Sequence, residues 1–148
     1  MMVSAYIGNK WCYNIVYYPR RKNELTFKGD FWVNDSTFAI AKINLAMTKS
    51  ANVNWVKELY VEQDFEVLND SVFLLKRESM LSDFSYSQKE NTKGVYGKRT
   101  TIYDNFEFNH PKPRKFYVPQ YNDLSPDRFK KDVTFWKENR LEPLNSDE

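Results

Sequence analysis

The sequence predicts a mainly β protein: a curved, half-barrel-like antiparallel sheet of about six to seven strands with one C-terminal α-helix. Two observations lead to this fold class. Aromatic residues make up 17% of the 148 residues, including 10 Tyr and 11 Phe, and such side chains favour strands. Runs of alternating apolar and polar residues are also separated by short polar turns, which is the order expected of successive hairpins. The length fits one domain with its own core.

The first two predicted strands carry the clearest pattern. Residues 11–18 (Trp-Cys-Tyr-Asn-Ile-Val-Tyr-Tyr) place alternate aromatic and aliphatic side chains on one face and end before Pro19. Residues 25–33 alternate with a period of two, and Gly29 inside this run predicts a bulge or a kink. Residues 34–36 (Asn-Asp-Ser) form a turn, because short polar side chains hydrogen-bond the turn backbone. The later strands are expected at about residues 37–48, 59–67, 72–76, 79–86 and 95–108.

The C-terminal third has a different composition. We expect an antiparallel β domain over residues 1–110, an extended segment rich in Pro and Tyr over residues 111–124, and an amphipathic helix with a tail over residues 125–148. The helix and tail either pack on the sheet or lead away from it. Ser125 is a suitable N-cap, and Pro126 suits the first helical position. An apolar helix stripe then consists of Phe129, Val133 and Trp136.

Composition and single residues argue against several classes of function. The net charge is +2, no run of about 18 apolar residues is present, and the first residues lack the pattern of a secretory signal. Cys12, the sole cysteine, allows no internal disulfide and no cysteine-based metal cluster. His110, the sole histidine, is interpreted as a loop residue, and a hydrolase that pairs it with a carboxylate is the alternative enzyme hypothesis. We therefore predict no catalysis, no cofactor and no metal site.

Three acidic side chains share one face of a predicted strand: Glu62, Asp64 and Glu66. Carboxylates that act as an acid and a base must face each other across a cleft in different environments. Neighbouring positions on one strand more often form a solvated face that pairs with Lys or Arg on the next strand. We therefore predict a charged outer face here.

Two basic clusters are candidates for contact with anionic lipid head groups or with a partner protein. The nearly balanced charge and the lack of a recognisable nucleic-acid motif argue against nucleic acid as that partner. The six residues of these clusters are Arg20, Arg21, Lys22, Lys112, Arg114 and Lys115.

A curved sheet has a concave face, and four apolar residues of the first two strands are its candidates: Tyr13, Ile15, Phe27 and Phe31. A helix that covers this face closes it into a core. Two interpretations stay open for the concave face: side chains fill it, or it holds an apolar ligand.

Five segments of the sequence carry a resemblance to a known family: residues 12–15, 19–22, 27–40, 51–54 and 135–144. In order and spacing they are similar to the middle region of a family of Gram-negative outer-membrane proteins. In that family a carboxypeptidase-regulatory-like β-sandwich precedes a middle region of unknown function, and a membrane β-barrel follows. The resemblance implies a fragment without signal peptide or barrel, located on the periplasmic side of the outer membrane. It implies the adjoining barrel of the parent protein as partner, with lipid or another periplasmic protein as further candidates.

Residues 29–35 (Gly-Asp-Phe-Trp-Val-Asn-Asp) carry a second resemblance. This hairpin is similar to strands of the lipoprotein-carrier half-barrels, which hold acyl chains. It implies a carrier-like half-barrel that binds lipid or acyl chains as the alternative function. The first family brings no catalytic residues, so the resemblance assigns none to this chain.

Overall fold

The computed structural model describes residues 3–21, 24–47, 53–68, 72–85, 93–118 and 126–144. Seven strands follow one another along the chain: β1 (Val3–Ile7), β2 (Lys10–Tyr17), β3 (Phe27–Asn34), β4 (Ile40–Met47), β5 (Val56–Leu68), β6 (Val72–Ser85) and β7 (Gly94–Ile102). One α-helix, α1 (Val133–Asn139), and two 3-10 turns, Arg114–Tyr117 and Pro126–Phe129, complete the elements of this part of the chain.

The seven strands form one open antiparallel sheet. Their order in the sheet equals their order in the sequence, so each strand pairs with its neighbours along the chain, and β1 and β7 lie at the two edges. This confirms the predicted fold class, a mainly β antiparallel sheet with one helix toward the C-terminus. The chain divides into two compact units, Met1–Asp104 and Asn105–Glu148, and the sheet belongs to the first.

The first strand is absent from the sequence prediction. β1 pairs with β2 from Val3 opposite Asn14 to Ile7 opposite Lys10. The two-residue connection begins with Gly8, which has a φ of 60°. A glycine adopts this left-handed conformation without steric cost, as a tight hairpin requires. The Gly-Asn pair between two strand-like segments is the sequence signal for this hairpin.

One strand, β6, replaces the two strands predicted at residues 72–76 and 79–86. Asp64 of β5 faces Arg77, whereas Phe65 faces Leu75, so Lys76 is an extra residue in a β-bulge. Arg77 and Glu78, which lie between the two predicted strands, are thus accommodated inside one ladder, because pairing with β5 continues on both sides of the bulge. The neighbouring edge strand β7 ends at Ile102 rather than at residue 108.

The bulge or kink predicted at Gly29 is not found there. Gly29 stays in register opposite Leu45, and the irregularity of this strand pair lies between Trp32 and Val33. A Cβ atom at Gly29 would lie 1.9 Å from the carbonyl oxygen of Asn44. The glycine is therefore required by the close approach of the β4 backbone.

The second unit carries a shorter helix than the sequence predicts. α1 begins at Val133, and Asp132 is its N-cap, with its carboxylate accepting a hydrogen bond of 2.8 Å from the backbone N–H of Phe135. The predicted cap, Ser125, lies outside the described residues. Pro126 begins a 3-10 turn that precedes the helix. The local Asp132 cap explains the later start, because it satisfies backbone donors of the first helical turn.

Buried apolar side chains are few in this structure. Within the described ranges, the apolar residues that are buried are Cys12 and Ala41, at 0% and 2% exposure. Burial also raises the pKa of the Cys12 thiol, which disfavours its reactive thiolate form. In the described part of the first unit, the strands of this sheet are the regular elements. The faces of the sheet are therefore the surfaces on which a function has to be sought.

Candidate functional site

One face of the sheet, here called the apolar face, carries the four residues predicted to line a concave surface. Tyr13 and Ile15 alternate on β2, and Phe27 and Phe31 alternate on β3. The register places Ile15 opposite Phe31. Further apolar side chains extend this face across the sheet at the paired positions Ile43, Leu45, Met47, Leu59, Val61 and Met80.

The apolar face is substantially exposed. Tyr13, Ile15 and Phe27 have 38%, 43% and 39% of their surface exposed, and Phe31 is half-buried. The rings of Tyr17 and Phe31 lie 5.8 Å apart between centroids, a distance typical of contacting aromatic pairs. Exposed apolar side chains that share one face of a sheet are typical of an interaction site. Whether this face is concave, with these four residues lining it, stays a prediction.

A polar cluster interrupts the apolar face toward the edge of β7. The carboxylate of Glu78 accepts hydrogen bonds of 2.7 Å from the Gln63 amide and 2.9 Å from the Arg99 guanidinium. These two bonds, in that order of importance, lower the pKa of Glu78 below its ordinary value. The apolar surface therefore ends at this charged cluster.

Replacement of Glu78 by Gln tests this cluster through its pH dependence. Because the folded-state pKa is lowered, the carboxylate stabilises the fold above the unfolded pKa of about 4.3, and this stabilisation disappears as the pH falls through the lower, folded pKa. We expect Glu78→Gln to lower the Tm at pH 7 and to match the wild type in strong acid. Thermal unfolding monitored by circular dichroism across this range measures the difference. A constant difference at every pH would contradict the assignment.

The opposite face, here called the mixed face, contains a hydrogen-bonded network that the sequence analysis missed. The Asp30 carboxylate accepts a hydrogen bond of 2.8 Å from Asn14 and bonds of 3.2 Å from Asn44. Tyr60 donates to the Asn44 side chain at 3.4 Å. The four strands β2, β3, β4 and β5 are thus joined by side chains as well as by the backbone. The alternation of side chains along β3 places Asp30 on the same face as Trp32. This alternation is the sequence pattern from which the position of Asp30 in the network could have been predicted.

The acidic side chains of β5 lie on the mixed face and are paired, as the sequence pattern predicts. The Lys42 ammonium binds Glu62, and it lies 3.1 Å from Asp64. Burial favours the neutral amine, but hydrogen bonds to the two carboxylates outweigh it and raise the pKa of Lys42. Glu66 pairs with Lys76 at 3.3 Å. These contacts fit a structural charge network across neighbouring strands.

Two depressions on the sheet are lined chiefly by the mixed face. One groove of 490 Å³ includes Asn14, Asp30 and Trp32 among its walls. A smaller depression of 190 Å³ is bounded by Tyr60 and Leu81. Neither is lined by the four residues predicted to form a concave apolar surface.

The two predicted basic clusters belong to different units of the chain. Arg20 and Arg21 are exposed in the connection after β2, and Lys22 lies outside the described residues. In the second unit Arg114 and Lys115 are exposed in a 3-10 turn. Lys112 is exposed there as well, and its ammonium pairs with Glu107 at 3.7 Å.

The predicted loop histidine is exposed. His110 Nδ1 lies 3.2 Å from a carboxylate oxygen of Glu107, and 69% and 64% of the two side chains are exposed. A catalytic pair is normally held in a cleft with a nucleophile within hydrogen-bond reach. Among the residues that the structure describes, no group of three or more His, Cys, Asp or Glu side chains is arranged to hold a metal ion. No helix within these ranges is long and apolar enough to cross a membrane.

The geometry defines a class of protein: an open, single-layer antiparallel β domain with an exposed apolar face and a charged, hydrogen-bonded opposite face. The chain belongs to the family described as a family of unknown function (DUF5686), whose model matches residues 3–106. This match covers the whole seven-stranded sheet. No curated protein and no solved structure is significantly similar to the chain.

Proposed function

We propose that the chain is a non-catalytic domain on the periplasmic side of an outer-membrane protein, and that its apolar face binds the adjoining membrane β-barrel of that protein. The observation that carries the binding role is the exposure of this face. Antiparallel sheets normally cover one face with a core layer. Here aromatic and aliphatic side chains such as Tyr13 and Ile15 remain 38% and 43% exposed.

The cellular context of this proposal comes from the resemblance of the sequence to the middle region of the outer-membrane family. An adjoining part of the same polypeptide is a suitable occupant of the apolar face, because a tethered partner has a high effective concentration. Burial of this surface also gains about 25 cal/mol for each Å² of apolar area removed from water. The role of the domain would then be to support the barrel or to gate it.

Site-specific photo-cross-linking in the intact parent protein tests the proposed contact. Ile15 and Val16 are neighbours on β2 that point to opposite faces of the sheet and are 43% and 66% exposed. A photoreactive residue at position 15 should cross-link to the barrel in outer-membrane preparations, with the products identified by mass spectrometry. The same residue at position 16 is the matched control and should give little of this product. Equal yields from both positions would contradict the proposal, as would an absence of the parent protein from the outer membrane.

The second candidate function is a carrier-like domain that binds lipid or acyl chains on the apolar face. The same exposed surface favours it, because acyl chains need apolar contact without a specific protein partner. Native mass spectrometry of the mildly purified protein distinguishes the two. A co-purified lipid mass, together with cross-linking from position 15 to lipid alone, would favour the carrier. A mass without bound lipid and a cross-link to the barrel would favour the first proposal.

A further inference from the structure

A separate cavity lies at one end of strands β5, β6 and β7. It has a volume of 350 Å³, within the range of roughly 300–1,000 Å³ that small-molecule sites occupy. Trp55 precedes β5, the end of β6 supplies two residues, the start of β7 supplies two, and Lys93 directly precedes β7. The described residues that line it are Trp55, Phe84, Ser85, Lys93, Gly94 and Val95.

The apolar walls of this end cavity consist of exposed side chains. Trp55, Phe84 and Val95 are 60%, 44% and 70% exposed. Three large apolar groups that surround one depression in this way offer contact to an apolar ligand without any rearrangement of a core.

The backbone around the cavity has a residue with positive φ and a close approach between two strands. Trp55 has a φ of 75°, which is rare for a bulky residue. Its carbonyl accepts a hydrogen bond of 2.8 Å from the backbone N–H of Ser85. A Cβ atom at Gly94 would lie 2.6 Å from the carbonyl oxygen of Phe84, so the glycine permits a close approach of β7. Such backbone strain is concentrated at functional sites in proteins.

One charged side chain is present in the described part of the cavity lining. Lys93 is exposed, and its ammonium has no carboxylate within salt-bridge distance among the residues that the structure describes. Because the described walls are apolar and the charge among them is positive, the complementary ligand has an apolar body and a negatively charged end.

We propose that the end cavity binds an amphipathic carboxylate, an acyl chain of medium length whose carboxylate pairs with the Lys93 ammonium. The indole of Trp55 and the side chains of Phe84 and Val95 contact the chain. The proposal does not depend on the four residues of the predicted concave surface, so it and the proposed function can fail separately.

Isothermal titration of the whole chain with decanoate, below the concentration at which decanoate forms micelles, tests the proposal. We expect saturable binding of one decanoate per chain. Lys93→Met should raise the Kd by about tenfold, through loss of a charge-assisted hydrogen bond, while the control Lys98→Met should leave the Kd unchanged. Trp55→Ala should abolish detectable binding, and the control Trp136→Ala should not. The uncharged decanol should bind about tenfold more weakly than decanoate and should not respond to Lys93→Met.

Several results would overturn the assignment. Decanoate that fails to saturate a single site would do so, as would a Kd that Lys93→Met leaves unchanged. Tighter binding of decyltrimethylammonium than of decanoate would show that the charge preference is wrong. Ile15→Ser changes only the apolar face and should not alter the Kd, so an equal loss in that variant would assign the binding to the apolar face instead. Val95→Ser, at an exposed position, serves as a second cavity variant if Trp55→Ala fails to fold, and it should weaken decanoate binding.

Discussion

Replacement of Gly29 by Ala is expected to destabilise the sheet by about 3 kcal/mol, as for an overpacked core site. The added Cβ would lie 1.9 Å from the Asn44 carbonyl oxygen and 2.9 Å from its carbonyl carbon. These are backbone atoms of the neighbouring strand, so no side-chain rotation relieves the contact. Strands β3 and β4 must separate, and the ladder hydrogen bonds between them weaken. Thermal unfolding should show a Tm lower by about 10 °C or more.

Gly97→Ala is the matched control for this change. Gly97 also lies inside a strand, but its Cβ would meet the hydroxyl of Ser82 at 3.3 Å and the ring of Phe84 at 3.6 Å. Both neighbours are side-chain atoms, and the hydroxyl has to move by only a few tenths of an ångström, so we expect a change in stability below about 1 kcal/mol. Similar losses for the two variants would show that β3 and β4 do not approach as closely at Gly29 as described.

Replacement of Asn34 by Ala is expected to cost about 2–3 kcal/mol of unfolding free energy, because a buried side chain that makes several hydrogen bonds is lost. Asn34 is 2% exposed. Its amide nitrogen donates to the Trp11 carbonyl at 3.0 Å, and its amide oxygen accepts from the backbone N–H and the hydroxyl of Thr37 at 3.0 and 2.8 Å. One side chain thus joins the β3–β4 turn to β2. The same turn contains Phe38 at a φ of 58°, a conformation that this network helps to hold.

Urea denaturation measures this loss, with Asp35→Ala as control. Asp35 follows Asn34 directly, but it is exposed and makes its 2.8 Å contact with the exposed hydroxyl of Ser36. We expect a loss below about 0.5 kcal/mol for the Asp35 variant, as for most surface changes. If Asn34→Ala costs no more than Asp35→Ala, the turn is held by its backbone alone.

Several features of the fold could be predicted from the sequence because they depend on local periodicity. The period of two in β2 and β3 assigned Tyr13, Ile15, Phe27 and Phe31 to one face before any pairing was known. The same alternation assigned the acidic residues of β5 to a charged face. Short polar turns between these runs predicted successive hairpins, and the sheet has that order.

Other features required the tertiary structure, since they depend on which residues face each other across strands. The role of Gly29 follows from the position of the Asn44 carbonyl on β4, and the continuity of β6 follows from a bulge at Lys76 in its pairing with β5. The Asp30 network likewise joins residues that are 14 and 16 positions apart.

The end cavity is another feature that could not be predicted from the sequence. Its lining residues come from three separate segments, and no spacing in the sequence relates Trp55 to Lys93. Local sequence determined the alternation of each strand, because side-chain direction repeats with the backbone. Register, bulges and cavities were decided by the tertiary structure, because they depend on which residues of two strands pair through backbone hydrogen bonds. A shift of this pairing by one residue would move every side chain of a strand to the other face of the sheet.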